Sequence, residues 1–437
     1  MRSASDYPVL RRPIHGPQGL SSAGPGPTCE HDTRLARKRR TAVLLAALFA
    51  VAIITPNAAA GLRAKLDRAL RSPYVSPSLT GALAINLASG RTVYGHNAAK
   101  PLHPASNEKL TVALTALDRL GPNFRIETKV LGQGALAGAV WQGRLILKGF
   151  GDPTLSRSDL ARFATQVRNL GITAVTGAIV GDESYYDKQR TGPGWKASYY
   201  KEESPPLSAL IVNRAKVGKR TVDNPALMAA RIFRRELIEA GISVSGKAKM
   251  GIAATDAVQL GLRRSGLLSR LVRRMNLVSD NFYAEMLLKQ VGARVRGEGT
   301  TASGARVVVR ELNQRGVPLD GVRIADGSGL STYDRLTARA LAALLISVWS
   351  DATIKDPFVA SLPIAGVSGT LKDRMTWAPA YGNVYAKTGT TSTSSTLSGY
   401  VRTRYVFSIL QNGYPVSWYY ARKTQDRFAT ILAGASS

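Results

Sequence analysis

The strings Ser106-Asn107-Glu108-Lys109, Ser279-Asp280-Asn281 and Lys387-Thr388-Gly389-Thr390 stand far apart, in that order, along a chain of 437 residues. No other feature constrains the fold as tightly. If they serve one site, the chain must return to Ser106 twice, the first time after 169 residues between Lys109 and Ser279. Singly they carry little. Ser-x-x-Lys is commonly a capped helix with a surface lysine, Ser-Asp-Asn a turn or an N-cap, and Lys-Thr-Gly-Thr a strand running into a turn. Their joint occurrence, each on the element its chemistry needs, outweighs those readings.

Ser106 and Lys109, three residues apart, share one face of a predicted helix. The serine falls in its first turn, where free N–H groups and the positive dipole end favour a developing alkoxide. A serine hydroxyl is a weak nucleophile until a base removes its proton. Lys109 is the candidate base if desolvation and a nearby cation, such as Lys387 across a cleft, lower its pKa. Ser279, at a break between two helices, is suited to relay a proton to a leaving amine. Asn281 is suited to hold a substrate carbonyl and the lysine, while Asp280 is expected to cap the following helix. In the third string Lys387 offers positive charge to a substrate carboxylate and Thr388 a hydroxyl. Gly389 lets a ligand lie against the strand. The N–H of Thr390, with that of Ser106, is the expected oxyanion hole.

The elements around the strings follow from periodicity. Gly81 to Leu87 and Arg91 to Tyr94 read as a β-hairpin. Leu110, Ala113, Leu114, Leu117 and Leu120 mark a mostly buried helix closed by Gly121. From about Arg125 the character changes to short apolar runs (Arg144 to Leu147, Ala174 to Val180) between Gly-rich turns, with helices at Arg157 to Leu170 and Pro225 to Ala240. This reads as a small α/β unit inserted into a larger one. Helical patterning returns at Leu267, Leu271 and Met275, resumes at Phe282 to Val291, and recurs at Thr301 to Arg315 and Thr337 to Ser350. Strand-like runs at Val384 to Thr388, Thr396 to Val401 and Tyr405 to Leu410 precede a last amphipathic helix, Trp418 to Leu432. A hairpin first and antiparallel strands last imply one sheet closed by both ends of the chain.

Charge narrows the partners. The chain carries 59 Lys/Arg against 29 Asp/Glu, a net +30. Such a field draws a protein toward anionic polymers or phospholipid headgroups. The basic residues are scattered and no nucleic-acid-binding motif accompanies them, so wall polymers or a membrane surface are favoured over nucleic acid. Residues 1–33 are Pro-, Gly- and Ser-rich and read as a disordered tail. The basic block Arg34 to Arg40, the 14-residue apolar run Thr41 to Ile54 and the small residues Ala58-Ala59-Ala60 form the three parts of a secretory signal. A retained anchor, which needs about 20 apolar residues, is the alternative for 34–60. The single cysteine, Cys29, lies ahead of that segment and leaves compartment open. Four histidines without ligand spacing argue against a metal, and no cofactor is expected. His96 and His103 are read as surface or core residues rather than a triad base.

With these strings the chain resembles the serine-type D-alanyl-D-alanine carboxypeptidase/endopeptidase family, the low-molecular-mass class C penicillin-binding proteins. Further family-like segments are Pro104-Ala105-Ser106, Gly151-Asp152-Pro153-Thr154-Leu155, Gly192-Pro193-Gly194-Trp195, Ala325 to Ser331, and Leu362 to Gly366 with Gly369-Thr370-Leu371. The resemblance runs from about residue 70 to 425. It implies an α/β (α+β) penicilloyl-serine transferase, or β-lactamase-like, fold: an antiparallel sheet with flanking helices beside an all-helical region, with the site between them. The expected division is a catalytic domain, 61–127 plus 256–437, interrupted by a small α/β subdomain, 128–255. Family members often carry two inserted subdomains. Here there is room for about one, with the basic linker Arg214 to Thr221 where more chain is expected.

The implied activity is hydrolysis of D-Ala-D-Ala, and of D-amino-acid cross-links, in peptidoglycan stem peptides through an acyl-serine that β-lactams also form. The alternatives are a β-lactamase or esterase on the same fold, or an idle wall-polymer-binding protein. Glu311-Leu312-Asn313 resembles the deacylating Glu-x-x-Leu-Asn of class A β-lactamases, but is short by two residues on what reads as an ordinary helix. The expected catalytic residues are Ser106, Lys109, Ser279 and Asn281. The expected substrate-binding residues are Lys387, Thr388, Gly389 and Thr390.

Overall fold

The three strand-like runs near the end of the chain form where their alternation places them, and the first hairpin joins them to make one sheet. In the computed structural model, which describes residues 56–435, the order is Val384–Thr391, Ser394–Val401, Tyr405–Asn412, Thr80–Asn86, Thr92–His96. Every pairing is antiparallel. Thr80–Asn86 docks on Tyr405–Asn412 with Gly81 opposite Leu410, so residues more than 300 apart in sequence share one ladder. Alternation then assigns faces. Ala82, Ala84 and Phe407 meet Leu66 of the helix Pro56–Leu70 and Phe428 and Leu432 of the helix Trp418–Gly434. Leu83 and Leu410 point the other way, toward Leu110, Leu341 and Leu345. Ser394–Val401 and Tyr405–Asn412 are buried throughout, as strands covered on both faces must be.

The all-helical layer centres on Lys109–Leu120, which is buried without a break from Lys109 to Leu117. A helix apolar nearly all round belongs in a core. It is packed by Leu268–Leu277, Asn281–Arg296 and Thr301–Gln314, through Leu271, Leu287, Leu288 and Val308.

A second, mixed sheet runs Ala248–Met250, Ile179–Asp182, Val140–Gly149, Glu127–Ala137, Val258–Arg264, with Ala174–Val175 and Ser243–Val244 at its side. The helices Arg157–Asn169 and Pro225–Glu239 cover it, and Phe163 meets Phe233 edge-on at 6.5 Å. Three details differ from the sequence reading. Glu127–Ala137 and Val258–Arg264 are strands that the glycine-broken pattern did not announce: the first makes a tight hairpin with Val140–Gly149, and the second pairs with the first across more than a hundred residues. The pairing of Glu127 with Arg264 carries this sheet past the 128–255 allotted to the insert. The run Ala174 to Val180 splits in two because Gly177 turns to donate its N–H to the Gly143 carbonyl at 2.8 Å. The basic linker folds into a hairpin, Lys216–Val217 with Arg220–Thr221.

The expected tail and the basic and apolar parts of the expected export signal lie outside the described residues. Ala58-Ala59-Ala60 falls within the helix Pro56–Leu70. Among the described residues no helix is long and apolar enough to cross a membrane.

Candidate active site

The turn that carries Ser106 is held by the sheet. Ala105–Glu108 form a single 3₁₀ turn before the α-helix starts at Lys109, a tighter entry than the α-helical first turn expected there. Ala105 sits at φ +46°, a strained value for a residue with a Cβ. Thr396 Oγ1 donates to the Pro104 carbonyl at 3.0 Å, and Asn107 Nδ2 to Ser398 Oγ at 2.7 Å. These bonds offset the strain and fix Ser106 against the third string. A Cβ added at Gly389 would lie 2.9 Å from the Ser106 nitrogen, so only glycine lets that strand approach the serine N–H so closely.

Lys109 is fully enclosed, and its Nζ donates to Ser106 Oγ at 2.8 Å, Asn281 Oδ1 at 2.8 Å and the Ser328 carbonyl at 2.6 Å. Burial pulls its pKa down to about 8, against the opposing pull of Asp326, Glu285, Asp280 and Glu108. The Ser328 carbonyl belongs to a loop organised by two carboxyls. Asp326 accepts from the N–H of Gly329 at 2.7 Å and of Ser331 at 2.8 Å, and from Trp195 Nε1 at 2.7 Å. Glu285 accepts from the N–H groups of Gly327 and Ser328 at 3.0 and 2.8 Å. Burial pushes the Glu285 carboxyl up to about 8, and those of Glu108 and Asp334 well above their usual range.

Ser279 occupies the break between two helices at φ +59°. Asp280 caps the helix that follows, accepting from the Tyr283 N–H at 3.3 Å, and Arg214 of the basic linker holds it at 2.7 Å. Asn281 turns its oxygen to Lys109 and its NH₂ to Glu203 Oε2 at 3.2 Å. Lys387 departs from expectation. It is fully enclosed, and its Nζ donates to Ser279 Oγ at 2.9 Å and to the Thr388 carbonyl at 2.8 Å rather than facing open space. Burial, and then the charge of Lys109, hold its pKa well below the usual lysine value.

Ser106, Ser279, Asn281, Thr388 and Thr390 open onto one cleft of about 740 Å³. The three strings thus converge, with the candidate base bonded to the serine and to the asparagine amide. Family comparison agrees with that geometry. The model of the D-Ala-D-Ala carboxypeptidase 3 (S13) family matches residues 62–221 and 214–434. The chain belongs to this family. Among its relatives, a D-alanyl-D-alanine carboxypeptidase of Actinomadura sp. is 30% identical, the match covering 81% of each chain. A carboxypeptidase of Mycobacterium tuberculosis is 31% identical over 80% of this chain and 78% of its own. The crystal structure of penicillin binding protein 4 from Haemophilus influenzae superposes with a TM-score of 0.74 at 22% identity, covering 84% of this chain and 98% of that one. The fold is therefore the expected penicilloyl-serine transferase fold.

In this family member several cleft residues went unmarked in the sequence. Lys196, Tyr199 and Glu203 reach the cleft from the segment after Trp195, and Arg374, Trp418 and Arg422 from the C-terminal part. Trp195 and Asp326 lie in family-like segments, which was the available signal for them. Nothing distinguished Glu203 or Arg422 from surface charges. His103 bonds the Ser331 carbonyl through Nε2 at 2.9 Å and His96 the Pro77 carbonyl at 2.9 Å, so neither partners Ser106. Glu311 is buried on Thr301–Gln314 in ion pairs with Arg119 and Arg315, away from the cleft lining.

Proposed function

We propose that this serine D-Ala-D-Ala carboxypeptidase works through an ester on Ser106, with Lys109 as base. Ser106 Oγ attacks the carbonyl carbon of the penultimate D-alanine while neutral Lys109 takes the hydroxyl proton. The N–H groups of Ser106 and Thr390 receive the oxyanion. The C–N bond then breaks as a proton passes through Ser279, itself bonded to Lys387, to the departing nitrogen, and D-alanine leaves. Water attacks the ester, releasing the shortened peptide and restoring the hydroxyl. Asn281 orients Lys109, and Thr388 and Gly389 form the strand edge beside the substrate. A β-lactam undergoes the same attack, but its leaving nitrogen stays tethered and obstructs water. The observation that carries this reading is Lys109 Nζ at 2.8 Å from both Ser106 Oγ and Asn281 Oδ1.

The reading extends to surroundings. Residues 34–60, read as an export signal, and a wall-peptide substrate support an extracytoplasmic location. The net +30 supports association with anionic wall polymers or a membrane surface. We take the stretch Glu127 to Arg264, which holds the second sheet, as a substrate-side insert in the catalytic domain, because Lys196, Tyr199 and Glu203 reach the cleft from a segment within that stretch. Cross-link cleavage by the same chemistry is part of the proposal. Labelling with a fluorescent penicillin and mass mapping of the adduct tests the core of it. The label is expected on Ser106 and absent from a folded Ser106→Ala variant. An adduct on another serine overturns the assignment.

A further inference from the structure

The enclosure of Lys387 leaves open which cation meets the carboxylate at the end of the substrate. Three basic side chains line the cleft: Lys196, Arg374 and Arg422. Arg374 is committed, with Nε and Nη2 both on Asp426 Oδ1 at 3.0 and 2.7 Å and Nη2 also on Gln425. Lys196 bonds Ser392 Oγ at 3.0 Å, past the end of the third string. Arg422 differs from both. Among the described residues it has no carboxylate partner, and its one polar contact is a long one, Nη2 to Thr390 Oγ1 at 3.4 Å.

Its placement is firm. Arg422 lies early in Trp418–Gly434, and Trp418 Nε1 donates to the Thr391 carbonyl at 2.7 Å, tying the start of that helix to the strand carrying Thr390. Thr390 is also the residue whose N–H, with that of Ser106, would receive the oxyanion. A carboxylate one residue beyond the reacting carbonyl lies about 3.8 Å further along the chain. Arg422 stands at the hydroxyl of the residue whose N–H marks the oxyanion position, within the reach of such a step.

We propose that Arg422 is a specificity-determining residue that binds the C-terminal carboxylate of the substrate, with the Thr390 hydroxyl beside it. A guanidinium presents two parallel N–H donors to a carboxylate, a geometry that an ammonium cannot reproduce. Lys387 then serves the proton relay at Ser279 rather than recognition. The inference rests on the peptidase reading and adds to it the source of selectivity for a free acid.

The test compares two thioester substrates of one acyl-D-alanine, one with thioglycolate as leaving group and one with its methyl ester. They differ only in the carboxylate. Arg422→Gln is expected to lower kcat/KM on the acid by roughly 10–100-fold, the range for a charge-assisted hydrogen bond, mostly through KM. The loss on the methyl ester should be at least tenfold smaller, and Arg422→Lys should recover part of the loss on the acid. Equal losses on both substrates overturn the inference, as does a carboxylate-selective loss in Lys196→Gln or Lys387→Ala with none in Arg422→Gln. If the wild-type protein turns over neither thioester and penicillin does not label Ser106, the peptidase reading fails, and that outcome is distinct from the others.

Discussion

Near the second sheet, Asp152, Asp159, Asp182 and Glu236 are buried, and each has a basic partner. Arg263 pairs with Asp152 and, at 2.9 Å, with Asp159; Lys148 takes Asp182 at 3.3 Å and Arg157 takes Glu236 at 2.5 Å. Around Ser106 the pattern is reversed. Glu108, Lys109, Glu285, Asp326, Asp334 and Lys387 are all enclosed, and among the described residues none forms an ion pair. One oxygen each of Glu108, Glu285 and Asp334 has no hydrogen-bond partner. A buried charge without a partner is expensive and shifts its pKa instead. The difference separates charge placed for packing from charge suited to chemistry, since Glu108, Lys109, Glu285, Asp334 and Lys387, all shifted from their usual pKa values, gather behind the cleft.

The sharpest way to break this comparison is at Lys109. Replacement by Ala should slow acylation by penicillin by about 10²–10⁴-fold, the usual range for base assistance. Stopped-flow labelling of a folded variant reads the loss, and wild-type rates would remove Lys109 from the base role. At the second sheet the expected effect is on stability. Phe163→Ala should cost about 3–5 kcal/mol, as deletion of a buried ring does, while the acylation rate of each folded molecule stays near wild type. Denaturant melts beside active-site titration separate the two, and a collapse of acylation in fully folded protein would join the regions that the comparison divides.

The smallest expected effect concerns pH. With Lys109 as the proposed base, acylation requires its neutral form, so the rate should rise about tenfold per pH unit below the lysine pKa and level off above about 8. The Asp326 carboxylate favours the charged lysine, so Asp326→Asn should move the midpoint to lower pH. A midpoint that moves upward would show that Asp326 acts through the loop geometry instead.

Much of the cleft was legible because local chemistry names its residues. A serine with a lysine at i+3 on an apolar helix, or a glycine after Lys-Thr in a strand, is informative without any knowledge of the fold. The cap at Asp280 and the C-cap at Gly121 were legible for the same reason, since caps are set within one turn. Glu203 and Arg422 carry no such mark. Each becomes part of the site only because a distant element brings it there. The strand Val258–Arg264 was missed on similar grounds, as its partner lies more than a hundred residues earlier.

What the sequence determined by itself was the three strings, the candidate nucleophile and base they offer, and the kind of fold that must unite them. Periodicity and capping act over a few residues, and motif order survives unaltered in the linear chain. Only the tertiary structure decided which cations face the cleft. Lys387 and Arg422 are both basic residues in the last sixth of the chain, yet one is fully enclosed on the strand Val384–Thr391 and the other opens onto the cleft beside that strand. Burial is a property of packing between segments far apart in sequence, and it governs both the charge a lysine keeps and the ligand it can touch.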